Sequence, residues 1–357
     1  MRPQISPIHP DWWWVGVERL LRKSAKSVDR FLPPLLILLA AIGGSNARAE
    51  APTLGGCALL PSDSVFNTRI DTLSVHAMSS AWVNSIGSGT GLHPDFGTVW
   101  EGAPIGIPYT VALTALAPIT VTFIYANESD PSPYLIPPDP PIEGGPASSG
   151  DRHVLWVDAP NCVLNELYAA YPQPNGTWKA GSGARWDLHS NALRPDTWTS
   201  ADAAGLPILP LLVRRDEVQA GEIRHALRFT ANITQKAHLW PARHDASDNT
   251  NPDRPPMGAR FRLKASVDIS GYAPEIQVIF TALKRYGMFL ADNGSNWYVS
   301  GAHDMGWDDD LLVSAFSDLS GSDFEVVDQA GLMVNVDSGQ SRSPYPARAW
   351  MPVVARP

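Results

Sequence analysis

Proline and glycine interrupt this chain so often that long helices have little room. The 357 residues include 33 Pro and 28 Gly; proline removes a backbone donor and fixes φ, and glycine punctuates turns. The segments between them are short and rich in β-branched and aromatic residues, as in β-rich folds. No internal repeat is found. The expected architecture is mainly β: a single β-sandwich or jelly-roll-like domain with one or two helices.

Positions 1–49 stand apart from that domain. Basic residues up to Arg30 precede an apolar run from Leu32 to Ile42, and Ala47-Arg48-Ala49 follows it. This is the order of a secretory signal and its small-residue cleavage site. The run is shorter than the ~20 residues a membrane-spanning helix needs. Secretion, periplasmic or extracellular, is therefore expected, with membrane contact only through the signal before cleavage and a mature chain beginning near Glu50. An uncleaved anchor is the alternative. Residues 1–29, with Trp12-Trp13-Trp14 and a basic cluster, read as an N-terminal extension.

Residues 50–357 then form one secreted domain. Removing the seven basic and three acidic residues of positions 1–49 from the chain's 27 and 36 leaves 20 and 33, a formal net charge of −13. Nucleic-acid binding needs clustered positive charge, so that class of partner is disfavoured. Two cysteines occur, Cys57 and Cys162. In an oxidising compartment a lone pair can close one structural bridge, worth roughly 4 to 5 kcal/mol at best for a loop of about 100 residues. Two free buried thiols are the alternative. No Cys-based metal cluster or thiol nucleophile motif is present.

The stretch from Gly106 to Tyr125 reads as two buried strands around a turn at Ala117-Pro118. Pro-rich 131–150 reads as a long irregular loop or an internal linker. Arg152–Asp158 and Cys162–Tyr168 make the clearest hairpin. Both faces of its first strand carry apolar groups, so it belongs in the middle of a sheet. Glu222–Thr230 alternates, with Ile223, His225, Leu227 and Phe229 on one side; Arg260–Ile269 repeats the pattern with a basic stripe on its polar side. Ile276, Ile279, Phe280 and Leu283 fit a helical period between Pro274 and Tyr286, with Gly287 at the end. A buried strand Met288–Ala291 should follow, then a turn at Asp292-Asn293-Gly294-Ser295, and a second helix over Asp308–Ser317.

The strings SGDRHVLWVD (149–158), HALRFT (225–230), PPMGARFRLKAS (255–266) and YGMFLADNGSNWY (286–298), with SNALRPDTWTSADAAGLPILPLLVRRDEV (190–218) and WPARH (240–244), resemble a family of secreted bacterial and fungal proteins. The resemblance spans most of residues 50–357. It implies secretion and a common β-rich fold and brings no catalytic residue with it.

The chemistry is therefore read from the residues. Ten tryptophans fall in residues 50–357, and indole faces can serve as platforms for sugar rings. Trp186 and Trp297, each beside polar turn residues, are the candidate platforms, with Tyr298; the competing reading of any one Trp is a core residue. Glycoside hydrolysis needs two carboxyl groups, one holding its proton. The candidates are Glu166, Asp187, Glu222 and Asp292, with Asp151 and Asp304 behind them, each open to reading as a turn cap or ion-pair partner. Asp308-Asp309-Asp310 reads as a helix start before a calcium cluster, because calcium-loop spacing is missing.

Histidine carries a second proposal. His153 and His225 fall on apolar strand faces and could converge with His244 as a general base or metal site, against the alternative of satisfied core histidines. No metal-ligand spacing and no cofactor motif is found, and no GxSxG elbow. Ser200 and Asp202 read as helix-capping residues rather than catalytic ones. Arg224, Arg228 and Arg262 could bind sugar carboxylates, or pair across strands with Glu222 and Asp268.

The expected function is carbohydrate-active: a glycoside hydrolase acting on extracellular polysaccharide through a carboxylate pair. Two alternatives stay open. One is a noncatalytic carbohydrate-binding or cell-envelope protein, and the other a polysaccharide lyase on a uronate-containing glycan.

Overall fold

Two sheets that share one core hold most of the strand residues. The computed structural model describes residues 50–344, so the signal segment and the extension before it lie outside the described residues. The larger sheet has six strands in the order Phe324–Val326, Arg260–Leu263, Met288–Asn293, Leu227–Ala231, Tyr298–Ser300 and His93–Asp95. The smaller runs Ser182–Asp187, Val163–Tyr168, Val154–Asp158 and Tyr109–Ala112. Leu155, Val157, Leu164 and Trp186 of the small sheet and Phe229, Phe261, Leu290 and Val299 of the large one belong to a single buried cluster. The chain is mainly β, with two sheets backing onto a common interior as in a sandwich.

The hairpin Val154–Asp158/Val163–Tyr168 is central, as its two apolar faces require. Val154–Asp158 pairs with Val163–Tyr168 on one side and Tyr109–Ala112 on the other. Period-two alternation sends Leu155 and Val157 into the main core, while Val154 and Trp156 point the other way into a second cluster with Val121, Tyr134, Ile136 and Trp178. Pro-rich 131–150 closes over that cluster, with Tyr134 and Ile136 buried. It is a packed irregular loop, and the linker reading is set aside. Cys57 and Cys162 form a disulfide that ties the first described residues to the hairpin turn.

Four helices are found among the described residues, more than the one or two expected: α1 (Ser79–Ile86), α2 (Arg215–Ala220), α3 (Pro274–Arg285) and α4 (Asp309–Ser317). In α3 the predicted stripe of Ile276, Ile279, Phe280 and Leu283 is buried, Pro274 opens the first turn, and Lys284 and Arg285 occupy the last, where the macrodipole favours cations. Gly287 follows at φ +67°, and a Cβ there would sit 2.3 Å from the Phe261 carbonyl oxygen. The Asp308 side chain caps α4 by accepting from Leu311 N. Helix α2 is six residues with two of them buried, Glu217 and Val218, too short for a periodic signal.

Three strand expectations need correction. The 106–125 stretch is no hairpin: Tyr109–Ala112 joins the four-stranded sheet, whereas Val121–Phe123 joins a separate sheet with Trp178–Ala180 and Tyr171–Pro172. The strand expected over 260–269 stops at Leu263, and the one over 222–230 begins at Leu227. In both cases the alternating pattern outruns the neighbour available for pairing.

One irregularity positions the site. Leu227–Ala231 and Met288–Asn293 run parallel with Leu227 opposite Met288 and Phe229 opposite Leu290, but Thr230 faces Asp292 and Ala231 faces Asn293. Ala291 is thus an extra residue, a β-bulge, and bulges re-aim the side chains beyond them. Arg228 and Thr230 share a face by period two, so the bulge moves Asp292 from the face of Leu290 to that of Arg228.

Candidate functional site

The bulged end of Met288–Asn293 opens on a cleft of about 410 Å³. Tyr125, Glu128, Asp151, Tyr168, His244 and Asp292 contribute to its lining, and the loop Thr199–Ala203 forms its floor. This falls within the ~300–1,000 Å³ typical of small-molecule sites.

Asp202 and Asp292 meet at one guanidinium. Arg228 Nε and Nη2 both lie 3.0 Å from Asp202 Oδ2, and the same Nη2 is 3.9 Å from Asp292 Oδ2. The shared nitrogen caps the separation of the two Oδ2 atoms at the sum of its two arms. Arg228 Nη1 also donates to Ser300 Oγ at 2.8 Å. Asp202 is sealed: its Oδ1 accepts from Ala204 N, and its own N–H donates to Ser200 Oγ. These are turn bonds within a loop, and no helix starts here, so the helix-capping reading of Ser200 and Asp202 is corrected. Asp292 has about a quarter of its side chain exposed, 26%, and reaches the cleft.

Burial pushes the Asp202 carboxyl up to about 7, with Asp292 adding to the rise and Arg228 opposing it. Burial also raises Asp292, against the pull of Arg228 and His153. Two carboxyls flanking one cation in a low-dielectric wall do not ionise together readily. Both carboxyls therefore bind a proton more tightly than an exposed aspartate does.

His153 stands behind the floor. Its Nδ1 is 2.7 Å from Glu143 Oε2, and its Nε2 is 3.0 Å from the carbonyl oxygen of Ala201. Glu143 comes from the Pro-rich loop, so that loop is latched to the floor by a partly buried ion pair. Across the cleft His244 places Nδ1 2.8 Å from the Ala203 carbonyl oxygen and Nε2 3.9 Å from Glu128 Oε2.

Of the candidates read from sequence, the structure brings Asp292, Arg228 and His153 to this place, with Asp151 and His244 beside them. The others lie elsewhere. Glu166 is fully buried and accepts from Trp186 Nε1 and from the N–H groups of Ile208 and Leu209. It anchors a turn, and Trp186 is its core partner. Asp187 is exposed at the end of its strand, accepting from His189 N, and exposed Glu222 pairs with Arg285 at 3.5 Å. His225 is buried between Glu217 Oε2 and the Ala226 carbonyl oxygen, so it does not converge with His153 and His244.

The expected aromatic platform is also a correction. Trp297 is fully buried, stacked on Phe229 and Phe324, with Nε1 donating to the Gly87 carbonyl oxygen. Tyr298 packs at a tilt against His93 with centroids 4.2 Å apart, away from the cleft lining. The basic stripe disperses too: Arg262 is taken up by Glu325 and the carbonyls of Ile70 and Leu73, and Arg224 is absent from the cleft lining. Sequence reasoning missed Tyr125, Glu128 and Tyr168, which sit at a strand end or in a short turn with no periodic signal, and Glu143, whose role depends on a fold-back of the Pro-rich loop.

Among the described residues no group of three or more His, Cys, Asp or Glu is arranged to hold a metal ion, and no helix is long and apolar enough to cross a membrane. Comparison with family models, curated proteins and solved structures finds no match to this chain.

Proposed function

We propose that this chain is a secreted glycoside hydrolase acting on a neutral extracellular polysaccharide. The observation that carries the reading is Asp292: a partly exposed carboxyl with a raised pKa, presented by a bulge into a tyrosine-walled cleft that holds further carboxylates. A carboxyl that keeps its proton can donate it to a leaving glycosidic oxygen, and a second carboxylate completes the reaction from the opposite side. Asp151 fills the second role and Asp292 the first. Arg228 and Asp202 hold Asp292 from behind as positioning residues. Tyr125 and Tyr168 offer faces for sugar rings.

Three features support the rest of the reading. The disulfide suits an oxidising compartment, in line with the secretory signal read from residues 32–49. The carboxylates of Glu128 and Asp151 in the lining would repel a polyuronate. Against the lyase alternative, the described cleft lining contains no Lys or Arg, and Arg228 behind it already faces two carboxylates.

The test is a product screen with the purified protein on neutral and acidic polysaccharides, read by reducing-end release and ultraviolet absorbance together. New reducing ends that vanish in Asp292→Asn support hydrolysis; absorbing unsaturated ends would move the reading to elimination. A binding-only protein remains the second reading, because Tyr125 at the lip would hold a sugar whether or not a bond is cut. It is favoured if glycan retention survives Asp292→Asn and no product forms from any polysaccharide.

A further inference from the structure

Tyr171 lies outside the cleft, 44% exposed, and its surroundings fix its ring. The guanidinium carbon of Arg152 sits 4.2 Å from the ring centroid. Arg152 is itself buried and donates to the carbonyl oxygens of Ala170, Pro146 and Ser148. A cation on three carbonyls therefore backs one face of Tyr171 and leaves the rest of the ring to solvent. Exposed aromatic rings with no such support are ordinary, whereas a ring clamped from behind is preorganised to receive a flat apolar partner.

The same backbone joins this ring to the cleft. Ala169 N donates to the Asp151 carbonyl oxygen at 2.8 Å, and Ala170 N to that of Arg152 at 3.3 Å. Asp151–Arg152 is thus zipped to the residues between Tyr168 and Tyr171, so the cleft-wall tyrosine and the outer one flank a single clamp. On the other lip, Gly181 N donates to the Tyr168 carbonyl oxygen and Tyr125 N to that of Gly181. A Cβ at Gly181 would lie 2.5 Å from the Tyr168 ring, so glycine lets that ring seat against the backbone. Tyr125, Tyr168 and Tyr171 follow one another along connected backbone. The electrostatic surroundings of the Tyr168 phenol include Asp151, Tyr125, Asp292 and Tyr171.

From this continuity, and resting on the hydrolase reading above, we infer that the glycan path runs out of the cleft and over Tyr171, which serves as an outer sugar-stacking station and sets a preference for longer chains. The cleft lies at the small end of the range for ligand sites, so further units of a polymer have to continue on the surface, and Tyr171 is the ring that surface provides beside Asp151. One pair of stacked faces adds a contribution that a short sugar, held within the cleft, does not collect.

The test compares the unaltered protein with Tyr171→Ala and Tyr171→Phe on matched disaccharides and hexasaccharides of neutral β-linked glucose, xylose and mannose, by calorimetric titration and by KM. The expected result is a loss of about three- to ten-fold in hexasaccharide affinity for Tyr171→Ala, no change for the disaccharide, and recovery in Tyr171→Phe. Equal loss at both lengths, or none for the hexasaccharide, overturns the inference and leaves the hydrolase reading standing. Equal affinity of the unaltered protein for both lengths does the same. If the unaltered protein neither binds nor cuts any of these sugars at either length, the functional reading and the inference fall together.

Discussion

Raising the pH through the titration of His153 probes the electrostatics beneath the cleft. The ring is buried and both nitrogens face oxygens, Glu143 Oε2 at 2.7 Å and the Ala201 carbonyl at 3.0 Å. Only the doubly protonated imidazole donates to both. Burial alone pulls the His153 pKa down, but the Glu143 carboxylate outweighs it, and the group is pushed from 6.5 up to about 9. A group that binds its proton more tightly when folded contributes stability fully present below its unfolded pKa and lost as pH rises through its folded one. The window is therefore pH 6.5 to about 9. At about 1.4 kcal/mol per unit, the decline across it is roughly 3 kcal/mol. Asp202, raised from 3.8 to about 7, has the same sign over a lower window and does not offset it. Urea unfolding at a series of pH values measures the decline. In Glu143→Gln the carboxylate is gone, burial governs the histidine, and stability should be lower at pH 6 with a flatter course above it. A midpoint that holds steady between pH 6.5 and 9, or an unchanged slope in Glu143→Gln, refutes the argument.

Three further outcomes follow from the packing. Trp297→Ala should cost about 3–5 kcal/mol in urea unfolding, because the indole is fully enclosed by Phe229, Phe261 and Phe324; a change under about 1 kcal/mol would make it a surface platform after all. Glu166→Gln and Asp292→Asn should separate cleanly. The first should lose about 1–3 kcal/mol of stability with turnover per folded molecule kept, and the second should keep its melting temperature and lose about 10²–10⁴-fold in turnover; the reverse pattern would exchange their roles. Reducing the Cys57–Cys162 bridge, which spans 105 residues, should lower stability by up to about 4–5 kcal/mol, seen as a shift in urea midpoint with and without reductant.

Features governed by neighbours along the chain are legible in the sequence. The stripe of α3, the acidic start of α4 and the two-faced alternation of Val154–Asp158 depend on local period and capping, and each is found where expected. The candidate site is legible in part. Asp292 and Asp151 stand out by their places at a strand end or turn and Arg228 by its place on the polar face of a strand, yet Trp186 and Trp297 read as platforms because polar neighbours in sequence do not report burial. Strand lengths fail for a related reason: 264–269 keeps the alternating pattern of Arg260–Leu263 but has no strand beside it to bond.

Sequence alone thus determined the class of the fold and its regular elements, because backbone preference and hydrophobic period act within a few residues. Tertiary structure decided the site. The bulge at Ala291 exists only in the register between Leu227–Ala231 and Met288–Asn293, and it turns Asp292 toward Arg228. The shared guanidinium, the Glu143–His153 latch and the raised carboxyls arise from segments far apart in the chain that are brought into one low-dielectric wall, and a pKa is set by what surrounds a group in space.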